Sequence, residues 1–235
     1  YHGRLAEEQR RALKESGFDG IYPELKSFCL DQQQIHGTAN KRMIEAVRCN
    51  PNVAGYCIHA LTAGDWIIGA GLLDLWRNPK TYAYEATKAA SQPRILSIRV
   101  RPRNVYAERG TTIEVTGVNE TTAVKGNLKL QLVAGDGAVV STRTIRTDLP
   151  SGITRLFTES PDTQALQGTY TVRAEIDADD GSLIAQNAYN FDVFAVGQLA
   201  IPKHRIAVLD PSNSLKPFLK QAGIEFVEFV PEIDH

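Results

Sequence analysis

The sequence predicts a multi-domain chain of α and β structure, and three changes of texture predict it. Residues 1 to 92 carry helical periodicity interrupted by one apolar strand. Residues 93 to 196 alternate polar and apolar side chains with period two. Residues 197 to 235 hold a single strand, loop, helix and strand. A chain of 235 residues is long enough for such a division.

In the first region, RLAEEQRRALKES (4 to 16) sets Leu5, Ala12 and Leu13 against a background of Glu, Arg, Gln and Lys. This is an amphipathic helix that Gly17 ends. Pro23 opens a second short helix, PELKSFCLDQQQ. Thr38 reads as the N-cap of a third, ANKRMIEAVRCN, with Met43, Ile44 and Val47 on one side and Pro51 as the stop. An apolar strand from Val53 to Ile58 then opens onto His59, Thr62, Asp65 and Trp66. Gly69, Ala70 and Gly71 turn the chain into LLDLWRNPK, and Pro79 begins the helix TYAYEATKAAS. Helix, helix, strand, loop, helix is the cadence of a parallel α/β fold, in which ligands bind beyond the carboxyl ends of the strands. The polar exit of the strand is therefore a candidate site lining. The plainer alternative is that His59 and Trp66 pack beneath a loop.

From Pro93 the segments ILSIRVR, TTIEVTGVN, NLKLQLVA, AVVSTRTIRT, ITRLFTE, TYTVRAEID and SLIAQNAYNFDVF read as strands. Gly110, Gly137, Gly152 and Gly181 sit in the turns between them. Seven alternating strands in roughly 100 residues predict an immunoglobulin-like β-sandwich. The span contains no cysteine, so packing must hold it without a disulfide. Tyr170, at the start of the sixth segment, is placed for a tyrosine corner, its phenol bonded back to the chain. Tyr170, Phe191 and Phe194 are expected in the core. Tyr106, Phe157 and Tyr189 are the other aromatics of the strands.

From about Gly197, HRIAVLD is a strand, PSNS a loop, SLKPFLKQAG a helix closed by Gly223, and IEFVEF a second strand. This is the opening of a doubly wound, Rossmann-like sheet. A unit this small does not bury a core alone, so it leans on the sandwich or continues further. Its loop lacks the GxGxxG and GxxxxGK[ST] patterns, which leaves nucleotide binding without support. Ser212 and Ser214 read as the helix cap.

Composition excludes several classes. Hydrophobic content is 43%, charged content 23% and net charge −1, with no sustained Lys/Arg block to engage nucleic acid. No apolar run approaches the ~18 residues of a membrane-spanning helix. Cys29, Cys49 and Cys57 are odd in number and never in CxxC spacing, so free thiols are expected rather than a metal site or disulfides. No cofactor or metal is expected. No signal peptide is evident, and the chain, which does not start with Met, is expected to be a portion or a processed product.

The segment NVAGYCIHALTAGDWIIGAGLLDLWRNPKTYAYEATKAASQPRILSI resembles the C-terminal end of the catalytic barrel of glycoside hydrolase family 2, the β-galactosidase, β-glucuronidase and β-mannosidase group. The likeness lies in an apolar last strand, a polar exit with Trp, then GLLD, RNPK and a helix with YEA. A sandwich follows directly, as in many members. The resemblance implies that 1–92 is the tail of a (β/α) TIM barrel, 93–196 an immunoglobulin-like sandwich and 197–235 the start of a Rossmann-like or amidotransferase-like accessory domain. It implies Trp66 as the floor of a sugar subsite, since an aromatic face stacks on a sugar ring. Asp65 and His59 would meet substrate hydroxyls. Asp74 and Arg77 would pair or cap structurally.

Retaining hydrolysis needs two carboxylates ~5 Å apart. By resemblance they come from the fourth and seventh barrel strands, and the matched segment begins after the seventh. Glu7, Glu8, Glu15, Glu24 and Glu45 all lie in helical patterns with solvated faces, and none maps onto either catalytic group. The expectation is a non-catalytic C-terminal portion of a retaining β-glycosidase. Its carbohydrate partner would be met through the complete barrel, and exposed barrel edges would favour self-association. The alternative is a carbohydrate- or protein-binding interaction module. An independent small enzyme lacks any nucleophile and base at useful spacing.

Overall fold

Alternation of apolar and polar residues drives the centre of the chain into strands, and their apolar faces meet. The computed structural model describes residues 2–62, 71–195 and 206–230. The strands are β1 (Arg94–Arg101), β2 (Asn104–Tyr106), β3 (Thr112–Asn119), β4 (Val124–Ala134), β5 (Val139–Leu149), β6 (Gly152–Glu159), β7 (Gly168–Ala178) and β8 (Leu183–Phe194). They form a three-stranded sheet, β1-β3-β6, and a five-stranded sheet, β2-β8-β7-β4-β5. Neighbours are antiparallel except β2 and β8. All seven expected strands are present. The unexpected β2 is too short to show a period of two.

Leu96, Ile98 and Val115 from one sheet join Leu128, Ile176 and Phe191 from the other in a shared core, each at most 1% exposed. Burying one such side chain stabilises by about 1.5–3 kcal/mol, which lets the layers hold without a disulfide. The Tyr170 hydroxyl accepts from the Gln167 N–H (3.1 Å) and donates to the Gln167 carbonyl (3.3 Å), so its ring stays in the core with its polar tip satisfied. Phe194 departs from expectation and is 45% exposed. The reason is parity: Phe191 and Val193 point inward, so Phe194 faces the other way. Asn119 is buried between the sheets. Its amide donates to the carbonyls of Thr122 (2.9 Å) and Leu149 (3.0 Å) and accepts from the Thr121 N–H (2.9 Å) and hydroxyl (2.8 Å).

Three helices precede the sheets: α1 (His2–Glu15), α2 (Leu25–Arg48) and α3 (Thr81–Ala90). Gly17, at φ 74°, follows α1 as expected. In contrast, α2 is one helix of 24 residues, not two. Thr38 is no cap; its hydroxyl donates to the Gln34 carbonyl one turn back (2.9 Å). The adjacent Gly37 is there for packing. A Cβ at Gly37 would sit 2.6 Å from the Tyr82 carbonyl oxygen, so glycine lets α2 and α3 cross backbone to backbone. Among the described residues no helix is long and apolar enough to cross a membrane.

The expected apolar strand at 53–58 is not formed. These residues have no ladder, and Val53 (40%) and Tyr56 (44%) are exposed. A parallel strand needs a neighbour on its edge, and no described strand flanks it.

After residue 205 come β9 (Ile206–Val208), α4 (Leu215–Gln221) and β10 (Phe226–Glu228), with β9 and β10 parallel. Ser212 and Ser214 do not cap α4. Asp210 does: its carboxylate accepts from the N–H groups of Ser214 (3.1 Å), Leu215 (2.8 Å) and Lys216 (2.9 Å). The Lys216 N–H holds its carboxyl below the usual range, and those of Ser214 and Leu215 and the Ser212 hydroxyl add to this, against desolvation. Tyr106 joins this unit to the sheets, its ring 5.3 Å from Phe218 and 6.5 Å from Phe194.

Three outcomes follow from this packing. Gly37→Ala gains about 1 kcal/mol of helix propensity, but the forced separation of α2 from α3 costs more, about 1–3 kcal/mol, so urea unfolding shifts to lower denaturant. Asn119→Ala strands buried carbonyls and lowers unfolding stability by about 3 kcal/mol in the same measurement. Asp210 is depressed in the folded chain, so its stabilisation is present above the free carboxyl value of about 3.9 and is lost as pH falls below it. The amide resonances of Leu215 and Lys216 should titrate together with a midpoint under that value; a midpoint above it contradicts the cap.

Candidate functional site

Of the residues that the sequence marks for sugar contact, His59 lies exposed on the irregular segment after Pro51. Asp65 and Trp66 fall outside the described residues, as does the start of the Gly69-Ala70-Gly71 turn. The chain on either side of that stretch is pinned together. The Leu61 carbonyl accepts from the N–H groups of Leu72 (3.0 Å) and Leu73 (2.9 Å), and Thr62 bridges Leu73 in parallel. Residues 61–62 and 72–73 thus lie side by side.

Asp74 organises the next turn. Its carboxylate accepts from the N–H groups of Trp76 (2.9 Å) and Asn78 (2.8 Å) and from the Asn78 side-chain amide (3.1 Å). Desolvation raises its carboxyl, but the Asn78 and Trp76 donors outweigh this and hold it below the ordinary value. Arg77 takes a left-handed conformation at φ 67° inside this turn. Both residues therefore act in the loop's shape. Trp76 stands 79% exposed at its tip.

The described residues with the densest polar chemistry lie elsewhere, where α2 crosses the sheets. The α2 pattern suggests a solvated Glu45; instead it is 5% exposed. Its carboxylate meets the Lys41 ammonium at 2.8 Å and accepts from the Asn187 amide at 2.9 Å. Asn187 also donates to the Leu96 carbonyl (2.5 Å) and accepts from Lys41. Packing overrides the helical wheel here, because the sandwich edge covers this face of α2. One turn on, the buried Arg48 guanidinium donates to the carbonyls of Ala90 (2.6 Å) and Gln92 (2.8 Å) and pairs with Glu120 (2.8 Å). Cys49 sits beside it, its thiol pushed up by burial although the Ser97 hydrogen bond and Arg99 pull the other way.

Two clefts flank this joint. One, of about 610 Å³, is lined by Lys41, Arg42, Glu45, Arg173, Glu175 and Tyr189, among others. The other, of about 350 Å³, runs along β1 past Ser97, Arg99 and Arg101 and shares Arg42, Glu45 and Tyr189. The larger cleft holds two carboxylates, but Glu45 is committed to Lys41 and Asn187 and is no free acid or base. Among the described residues no cluster of His, Cys, Asp and Glu could hold a metal ion. The joint was missed in the sequence because its members lie up to 146 residues apart, and no local spacing links them.

No family profile matches the chain, and no curated protein matches it in sequence. Solved structures do resemble it. The exo-chitosanase CsxA of Amycolatopsis orientalis is similar at TM-score 0.57 and 19% identity, over 72% of this chain and 20% of that chain. CsxA in an inhibitor complex, described as an exo-β-D-glucosaminidase, gives TM-score 0.55 with the same identity and coverage. A β-glucuronidase of glycoside hydrolase family 2 covers 43% of this chain at 18% identity, with a TM-score of 0.33 too low to argue from. This chain spans about one fifth of the length of CsxA. Its structural neighbours are glycoside hydrolases, and in fold it is similar to a part of one.

Proposed function

We propose that this chain is the C-terminal portion of a retaining β-glycoside hydrolase of the family 2 type. Residues 1–92 would be the tail of its catalytic barrel, 93–196 its immunoglobulin-like sandwich and 197–235 the start of a Rossmann-like accessory unit. The observation that carries this reading is the likeness to CsxA over 72% of the chain, a longer stretch than 93–196 alone. Two features of the molecule support it. Glu45 and Arg48 fix the helices to the sandwich as a support, not as a tether. The helical region also leaves large apolar side chains in water, among them Ile21 (68%), Ile35 (58%) and Met43 (63%). The missing barrel units would cover such surface.

In the intact enzyme, the two carboxylates of the reaction would come from barrel strands outside this chain, ~5 Å apart across the glycosidic bond. Trp66 would floor the sugar subsite, with Asp65 and His59 on substrate hydroxyls. The chain alone would be non-catalytic and would self-associate through its uncovered faces. A carbohydrate-binding sandwich would instead offer an aromatic row on one face. Here Tyr170 and Phe191 are buried, Tyr189 lies under Arg42 and Phe194 turns toward Tyr106, which leaves that reading without support.

The test is hydrolysis of aryl β-glycosides, β-glucosaminides included, with the product anomer followed by NMR. The parent polypeptide should turn over one of them with retention, and the isolated chain none. Turnover by the isolated chain, or inversion by the parent, would sink the proposal.

A further inference from the structure

The seam between the sheets has a property that the glycosidase reading does not use. Among the described residues, β8 up to Phe191 has only β7 beside it, and β1 has only β3, so the two face each other as edges beneath α2. Ser97, Arg99 and Arg101 occupy alternate positions of β1, on the face opposite to the core residues Leu96, Ile98 and Val100. That face lines the 350 Å³ cleft, which α2 completes with Arg42 and Glu45, and β8 with Tyr189. Arg42 is held in place, its guanidinium carbon 4.6 Å above the Tyr189 ring centre.

The charges in this cleft do not balance. Its one carboxylate, Glu45, is taken by Lys41 and Asn187. Glu114, opposite Arg99 on β3, pairs with Arg155 at 3.6 Å. Among the described residues none of Arg42, Arg99 and Arg101 takes part in a salt bridge. Three arginines thus line a small concavity whose one carboxylate, Glu45, is already paired. Each presents a planar fork of donors that matches a pair of oxygens on one phosphate or sulfate. The adjoining cleft adds Arg173 together with Glu175, both outside every salt bridge among the described residues.

We propose that the smaller cleft binds a tetrahedral oxyanion, phosphate or sulfate, either free or as the ester of a sugar-sized molecule. A volume of 350 Å³ is at the lower end of small-ligand sites and suits one such group with a ring attached.

Isothermal titration of the whole chain at low salt with inorganic phosphate, sulfate, glucose 6-phosphate and glucose tests this. The expected result is saturable one-site binding of the anions that weakens as sodium chloride is added, with glucose inert. Arg42→Gln and Arg101→Gln should each weaken binding by about tenfold. Arg146→Gln, whose guanidinium is paired with Asp179 and lies on β5 at the opposite edge of the five-stranded sheet from β8, should leave it unchanged. Tighter binding of glucose 6-phosphate than of phosphate assigns the ester as ligand; equal binding assigns the free ion. Arg101 is exposed, so its variant should keep the fold, checked by circular dichroism, and it decides the matter if Arg42→Gln unfolds. No saturable binding by any anion, or equal weakening in all three variants, overturns the site.

Discussion

The arrangement of this protein depends on the burial of the Glu45 carboxylate under α2. Removing a carboxylate from water costs several kcal/mol, and the cost is offset only where partners replace the lost hydration. Lys41 and Asn187 do this. Lys before Glu at a spacing of four is the weaker order for helix stability, so the pair's value lies in the joint it makes. Asn187 is the hinge of that joint, because the same amide reaches Leu96 on the opposite sheet. A buried polar cluster of this kind selects one relative placement of helix and sandwich, since any other strands a charge.

Arg48 repeats the logic one turn further along. Its fork gathers the end of α3, the approach to β1 and the loop after β3. Gly37 acts midway along the same helix, bringing α2 close enough to α3 for their backbones to touch. Between them, α2 is set in position and angle, and the seam between β1 and β8 becomes a lined cleft. The joint uses the one carboxylate of the smaller cleft, and the arginines around it stay outside the salt bridges of the described residues.

The two outer parts are held by smaller means. The β9-α4-β10 unit draws its helix start from Asp210 and its attachment from the Tyr106 and Phe218 rings. The turn around Asp74 is shaped by its own hydrogen bonds and needs no distant partner. The Asp210 cap and the Asp74 turn are local devices, able to form wherever the chain places them.

What the sequence determined by itself was the set of elements whose cause is local. Period-two alternation marked seven of the strands, and glycine with aspartate marked their turns. Asp136 and Asp180, for instance, accept from the N–H two residues on, at Ala138 and Ser182. The resemblance to glycosidases was also legible, because it rests on the order of short motifs. Tertiary structure decided the rest. Residues 53–58 have the composition of a strand but no neighbour to pair with among the described residues, and a ladder is a property of two segments. Gly37 and Thr38 look like a helix boundary until α3 crosses there. Ser212 and Ser214 look like caps until Asp210, four residues before Ser214, reaches the same N–H groups. Glu45 and the arginines of the seam carry no sign of their roles in their own surroundings, since burial and charge balance are set by segments far away in the chain.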